Sequence, residues 1–470
     1  MGDFLEKCFK LKENKTSIKT EVLAGATTFV TMVYILIVNP NILSGPTGMP
    51  WGGLFTATAI MCILGTILMA VISKYPFALA PGMGLNAFFA YVVVSSMGGS
   101  WHTALLLLLL QGVGFVILAS VKFREKIFEA IPKSMKLAIG VGIGLFIMHI
   151  GLQNAEFIIG NPATKVALGD MTSVPVVLFM LGVLLTGFLL ARKIRGGLLL
   201  GILGTYLMGL ICQLVGIYKP HVFGENGGIV ETGHGFSLIP SGIVSLPPSL
   251  AEVNLLTNFD KVNFSDISVF TIISLMIILL IVDGMDTVGT AIGVSEKCED
   301  FLDEKGDLPR KGKVLLADAI TTGMGAMFGT STVTTYIESA AGVQVGGRTG
   351  LVGFVVAILF AIAMFFSPIF FAIPAFATAP ALVFVGLFMT TTVAKIMWND
   401  AKGGDIDFTE ALPAFLIIVL MPLTYSISNG IIFGVISFVA LKLFTGRYKE
   451  ISIVMYILAA FFIFKLVSPF

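Results

Sequence analysis

The chain has 470 residues, 56% of them hydrophobic and 12% charged, with a net charge of +1. Soluble domains carry about 25% charged residues, so the composition excludes a soluble enzyme or binding module and describes a polytopic membrane protein. It carries no sign of a nucleic-acid partner, because the basic residues are confined to short connections.

Apolar runs of membrane-crossing length predict spans near residues 22–43, 54–73, 83–98, 102–120, 134–152, 173–191 and 197–217. A polar loop, 218–265, follows. A second series is expected near 266–292, 313–328, 334–345, 350–371, 379–397, 409–426 and 428–444, and a further apolar stretch at 451–467 either spans or lies in the interface. Lysines followed directly by a full-length span argue against a cleavable signal peptide. Placing the N-terminus in the cytoplasm puts every Lys and Arg on the inner side except Lys165, Lys219, Lys261 and Lys465. That asymmetry is what the positive-inside rule asks of a multi-pass cell-membrane protein.

Seven spans precede the central loop and seven follow it, so the second half is turned over relative to the first. The halves echo each other: Arg195 to Gly204 pairs loosely with Ser428 to Ser437. Two interrupted segments, Ala78–Tyr91 and Thr330–Val345, fall at matching positions. Such matched breaks point to a transporter's central site. The connections carry little chemistry. His221 and His234 in the central loop read as solvated, since no Cys or paired carboxylate accompanies them. Asn263-Phe264-Ser265 has the form of a glycosylation acceptor, and the run 295–313 reads as a solvated connector without the alternating acids of a calcium loop. Cys8, Cys62, Cys212 and Cys298 have no metal-ligand spacing; no metal is expected.

Three features stand out in the apolar background. Asp283-Gly284-Met285-Asp286-Thr287 sets two carboxylates i, i+3 on one helix face, each costing about 2.5–3.5 kcal/mol at mid-membrane. Glu338 follows Thr334, Thr335 and Tyr336, and a short helix starting near Thr334 would aim its free N–H groups at a midplane ligand. Ala80-Pro81-Gly82-Met83-Gly84-Leu85-Asn86 combines a helix breaker, two permissive glycines and an amide. Phe77, Phe88 and Phe89 lie near enough in sequence to stack on a flat ligand. Carboxylates and an amide without Lys or Arg favour a ligand bearing N–H donors, as a purine edge does. A carboxylate placed there can also take and release a proton, so one site would bind the base and couple to protons.

At these residues the chain resembles the nucleobase–cation symporters, the xanthine/uracil permease superfamily, and within them the AzgA-like hypoxanthine/guanine/adenine permease branch. The resemblance rests on the stretches Thr20–Pro40, Ala80–Phe89, Val282–Thr290 and Thr334–Gly342. It implies an all-α polytopic fold of fourteen transmembrane segments in two inverted seven-span repeats, with short strands in broken segments 3 and 10. It implies a core domain (1–132 and 266–372) and a gate domain (133–217 and 373–470) flanking the extracytoplasmic loop 218–265. It implies that Asp283 or Asp286 and Glu338 bind a purine with Asn86, Gly84 and Thr335 nearby, and that these three acids couple transport to protons with no other cofactor. Asp286 matches the acid of the wider family by its distance from Gly289. The implied function is import of hypoxanthine and guanine by proton symport with alternating access, adenine being the alternative within the branch. The chain's partners are then the purine and the lipid bilayer, and a homodimer is compatible with the sequence. An anion transporter of the same architecture would place a basic group near the broken segments, where only Arg348 is at hand. No Ser/His or metal-ligand motif supports an intramembrane enzyme, and a single acidic site suits alternating access better than a channel.

Overall fold

The computed structural model describes residues 6, 9–120, 130–218, 222–223, 229–230, 238–263, 267, 269–295, 301, 308–391, 393 and 406–467. His221, His234, Cys8, Cys298, Phe264, Ser265 and most of the 295–313 connector lie outside the described residues. So do several of the Lys and Arg residues behind the orientation.

The first segment is a helix in two pieces, Ile18–Met32 and Ile35–Thr47, interrupted at Val33–Tyr34. Ser17 caps it by accepting the Thr20 N–H, and Gly48 at φ 71° ends it. The second segment is the helix Trp51–Ile72. The third opens as a strand, Leu79–Pro81, and continues as a helix, Met83–Phe88, that passes through a π-helical turn, Phe89–Val93. Segments four to seven are the helices Trp101–Ser120, Lys133–Asn154, Val174–Ala191 and Gly197–Leu214.

The second half repeats this order. Helices Val269–Ser295 and Lys311–Phe328 form segments eight and nine. The tenth is a strand, Val333–Thr335, and a short helix, Ser339–Val345. The eleventh runs from Leu351–Ala363 on to Ser367–Phe371. Ala375–Thr390, Phe408–Leu423 and Ile427–Phe444 complete the set. The fold is thus two inverted sets of seven, each broken at its third member. Among the described residues seven helices, or eight if the bent pair Met83–Ser96 and Trp101–Ile117 is one span, are long and apolar enough to cross a membrane.

Two expectations need correcting or completing. No helix starts at Thr334: that residue lies in a strand, and the helix begins at Ser339. Backbone pairing with the opposite half satisfies the groups that a helix start would have left open. The surplus stretch forms a helix, Ile453–Val467, which packs on segment fourteen and sets Phe461 and Phe464 against Phe270 of segment eight, ring centroids 5.0 and 5.1 Å apart. A hairpin between segments five and six, Ile158–Asn161 with Lys165–Leu168, was not anticipated.

The helices pack as two groups. Segments one, two, four, nine, ten and eleven pack among themselves around the paired strands, whereas segments five, six, seven, twelve, thirteen and fourteen pack with one another. Small residues allow the close crossings that a membrane protein relies on: a Cβ on Gly112 would lie 2.5 Å from the Gly323 backbone, and one on Gly144 would lie 2.8 Å from Gly386 O. Leu184, Ile211 and Ile358 are exposed, giving an apolar outer surface of the kind hydrocarbon covers.

One end of the second group is tied by ions. Lys442 is buried, with Glu450 at 2.6 Å, Glu410 at 3.1 Å and Asp407 at 4.0 Å. Arg447 reaches Asp407 at 2.6 Å and Glu450 at 2.7 Å. The Ser134 hydroxyl of segment five donates to Glu410. The cluster therefore joins segments five, thirteen and fourteen to the start of the last helix.

Candidate functional site

The two broken segments meet as an antiparallel ribbon, Leu79 opposite Thr335, Ala80 opposite Thr334 and Pro81 opposite Val333. The Gly82 N–H donates to Thr332 O and the Tyr336 N–H to Ala78 O, both at 3.0 Å. The Tyr336 hydroxyl donates to Pro81 O at 2.6 Å. A two-stranded ribbon leaves backbone groups open along its outer edges, and hydrocarbon cannot satisfy them. Hydroxyls of neighbouring helices do so instead. Thr66 Oγ1 accepts the Leu79 N–H at 3.0 Å and donates to Leu79 O at 3.2 Å. Thr322 Oγ1 donates to Val333 O at 3.4 Å, and Ser339 Oγ accepts the Ala78 N–H at 3.0 Å.

Two carboxylates lie beside the ribbon. Asp286 of segment eight accepts a hydrogen bond from Thr334 Oγ1 at 3.2 Å. Gly82 leaves the room for it, since a Cβ there would sit 2.9 Å from Thr334 Oγ1 and 3.5 Å from Asp286 Oδ2. Glu338, just past the second strand, accepts a hydrogen bond at Oε1 from the Tyr34 hydroxyl. Asp286 and Glu338 are within electrostatic range of each other, and both keep partial exposure. Asp283, by contrast, is fully buried. Exposure thus separates two acids that sequence spacing set on one face.

The other predicted residues take different positions. Asn86 is fully buried and committed to its neighbours: it donates to Asn39 Oδ1 at 2.5 Å and accepts from the Ser331 hydroxyl. Asn39 in turn donates to Thr58 at 2.6 Å and Thr330 at 3.1 Å. Asn86 therefore fastens segment three to segments one and ten. Gly84 faces segment five, where a Cβ would lie 2.3 Å from Ile143 Cγ2. Strand alternation sets Thr334, and not Thr335, beside Asp286; the Thr335 hydroxyl is buried on the other face with no hydrogen-bond partner among the described residues. Phe77 is fully buried and stacks on Tyr75 at 5.0 Å, and Phe88 and Phe89 are buried as well.

Arg348 lies away from the ribbon. Its guanidinium is spent on Val343 O and Gly347 O, and its N–H donates to Glu21 of segment one. Sequence reasoning missed Tyr34, Asn39 and Asp318. The last is a fully buried carboxylate in segment nine that accepts from Thr287 Oγ1 at 2.5 Å. A polar side chain inside an apolar run was the available signal for all three. Among the described residues no three His, Cys, Asp or Glu side chains converge as metal ligands.

The arrangement offers two acceptor groups, each steadied by a hydroxyl donor, beside an irregular backbone held at the crossing of the two repeats. It suits a small ligand that brings its own N–H donors.

Comparisons with known proteins agree in scale with this architecture. The adenine permease AdeP of Escherichia coli K12 is 39% identical over 98% of this chain and 96% of its own length. The guanine/hypoxanthine permease PbuO of Bacillus subtilis 168 is 40% identical over 97% of this chain and 99% of its own. The solved transmembrane domain of the cyanobacterial bicarbonate transporter BicA shares the fold, with a TM-score of 0.59 at 15% identity over 88% of this chain and 97% of that one. The model described as "Permease family" matches residues 19–433. The chain belongs to that Permease family.

Proposed function

We propose that the chain is a secondary transporter that carries purine nucleobases, hypoxanthine and guanine first, into the cell together with protons. One observation carries this reading: Asp286 and Glu338 stand partly exposed beside the paired strands, each held by a hydroxyl, while the guanidinium of Arg348 lies away from the ribbon on Val343 O and Gly347 O. A purine presents N–H groups along its edge, and a carboxylate accepts two of them in parallel. Guanine offers N1–H and its exocyclic amine. Adenine lacks an N1–H and needs another pose, yet relatives named for adenine and for guanine/hypoxanthine are about equally similar to this chain. Adenine therefore stays the second reading.

In this scheme Asp286 and Glu338 contact the base and exchange the proton, with Thr334 orienting Asp286. Asn86 holds segment three in register, and Asp283 stands behind as an enclosed acid. Segments one to four and eight to eleven form the core that carries the site. Segments five to seven and twelve to fourteen form the gate against which the core moves, as matched broken segments suggest. The N-terminus is cytoplasmic, on the inner side of the Lys and Arg asymmetry.

The test is uptake of labelled hypoxanthine by cells lacking their own purine permeases. Unlabelled guanine should compete fully and uracil should not, a protonophore should stop accumulation, and Glu338→Gln should abolish uptake with membrane expression intact. Full uptake by Glu338→Gln, or indifference to the protonophore, would remove the acid or the proton from the scheme. Stronger competition by adenine than by guanine would move the assignment to the second reading.

A further inference from the structure

We propose that Tyr34 is a positioning residue for Glu338, making the irregular turn in the first segment a further element of the substrate site. The inference rests on the purine-transport reading above. Three observations carry it. The first helix passes through an irregular turn at Val33–Tyr34, between Met32 and Ile35, where Leu36 and Ile37 donate to carbonyls three residues back. Tyr34 is fully buried, so its hydroxyl has no water to turn to. That hydroxyl is spent on Glu338 Oε1, more than three hundred residues away in the chain, and Thr31 Oγ1 one turn earlier lies 3.5 Å from Glu338 O. Segment one thus grips Glu338 by both side chain and backbone.

A donor on Oε1 fixes the carboxylate's rotamer and leaves Oε2 as the oxygen free to face a ligand. The remaining neighbours of Glu338 with titratable groups are Tyr336 on the ribbon and Asp286 on segment eight, neither of which is hydrogen-bonded to it. Tyr336 is engaged with Pro81 O and Asp286 with Thr334. Among the described residues, Tyr34 alone holds this acid by a side-chain hydrogen bond to its carboxylate.

The experiment uses the full chain in proteoliposomes with labelled hypoxanthine. Tyr34→Phe removes one hydrogen bond to a charged group, so KM should rise about ten- to a hundredfold while Vmax stays within about threefold, the signature of lost ground-state binding. In a Glu338→Asp background the acid is one methylene too short to reach both Tyr34 and the base, so adding Tyr34→Phe should lower Vmax/KM by less than about twofold. Equal losses in both backgrounds, an unchanged KM, or a lost Vmax with KM intact would each overturn the proposal. If Glu338→Asp shows no uptake, the KM-against-Vmax split decides alone. Absence of hypoxanthine uptake by the unaltered protein would instead sink the transport reading, a different result from any of these.

Discussion

Gly84 gives the sharpest mechanical test. A methyl placed on it lies 2.3 Å from Ile143 Cγ2, about 1 Å inside ordinary contact. Ile143 is itself only 3% exposed, and its β-branch leaves Cγ2 little room to turn. Overpacking of this kind costs roughly 1–3 kcal/mol. Alanine's better helix propensity returns about 1 kcal/mol at most, so Gly84→Ala should destabilise by about 1–2 kcal/mol and, with an unfolding entropy of about 2.1 cal/mol/K per residue over the whole chain, lower the melting temperature by about 1–2 °C. The clash lies between segment three and segment five, which belong to different parts of the proposed transport cycle. If the two slide during transport, the same energy shifts the populations of the two states by roughly five- to thirtyfold. Ile143→Leu moves the offending methyl away from Cβ at constant volume, alone costing less than about 1.5 kcal/mol. Combined with Gly84→Ala it should restore most of both losses. The assay is thermal unfolding in detergent alongside uptake in cells. A Gly84→Ala protein with unchanged melting and uptake, or one that Ile143→Leu fails to rescue, would refute the reasoning.

Three further outcomes are expected. Thr334→Val should weaken purine binding about tenfold, because a hydroxyl donor to Asp286 is lost at 3.2 Å, while Thr334→Ser should bind nearly normally; equilibrium binding of labelled hypoxanthine to the purified protein separates them. Tyr336→Phe leaves the buried Pro81 carbonyl without its 2.6 Å donor and should cost about 1–3 kcal/mol, seen as a lower melting temperature. The ion cluster sets an acid limit. Partial burial pushes Asp407 up, but the Thr409 hydroxyl and N–H and the Arg447 guanidinium outweigh it and hold the carboxyl down at about 2. Arg447 and then Lys442 hold Glu450 at about 2. Both folded values lie below the unfolded carboxylate range of about 4, so their stabilisation is complete above about pH 5 and is lost as pH falls towards 2. The melting temperature should be flat in this respect from pH 8 to 5 and fall below, and Arg447→Ala should blunt that fall; an identical profile in the variant would contradict the assignment.

The most legible parts of the sequence were those where chemistry contradicted the solvent. Asp286, Glu338 and the Ala80–Asn86 stretch are costly in hydrocarbon, and their cost marked them. Charge asymmetry and apolar run length located the segments to within a few residues. The strands came only through family resemblance, because three-residue pairs carry no periodicity of their own. The Thr334 helix start failed because hydroxyls that cap helices also occupy strands once a partner strand is near. Tyr34 and Asn39 were passed over because each is a single polar group in a run that reads as an ordinary span; their partners, Glu338 and Asn86, are distant in sequence. Nothing local distinguishes Thr334 from Thr335, and only the strand's alternation decides which one meets Asp286.

The hydroxyls of Thr66 and Thr322 act as surrogate neighbouring strands. In a water-soluble sheet the margin of a ribbon is free to wet itself, and a valine there is a mild change. Here the margins are finished by side chains, and Thr66 from an adjoining helix serves both polar groups of Leu79 at once. The crossing of the two repeats is therefore not a portable motif: lifted out with its strands alone, it would arrive with frayed borders. Whatever tolerance to exchange the surrounding helices possess, it should stop at these two threonines.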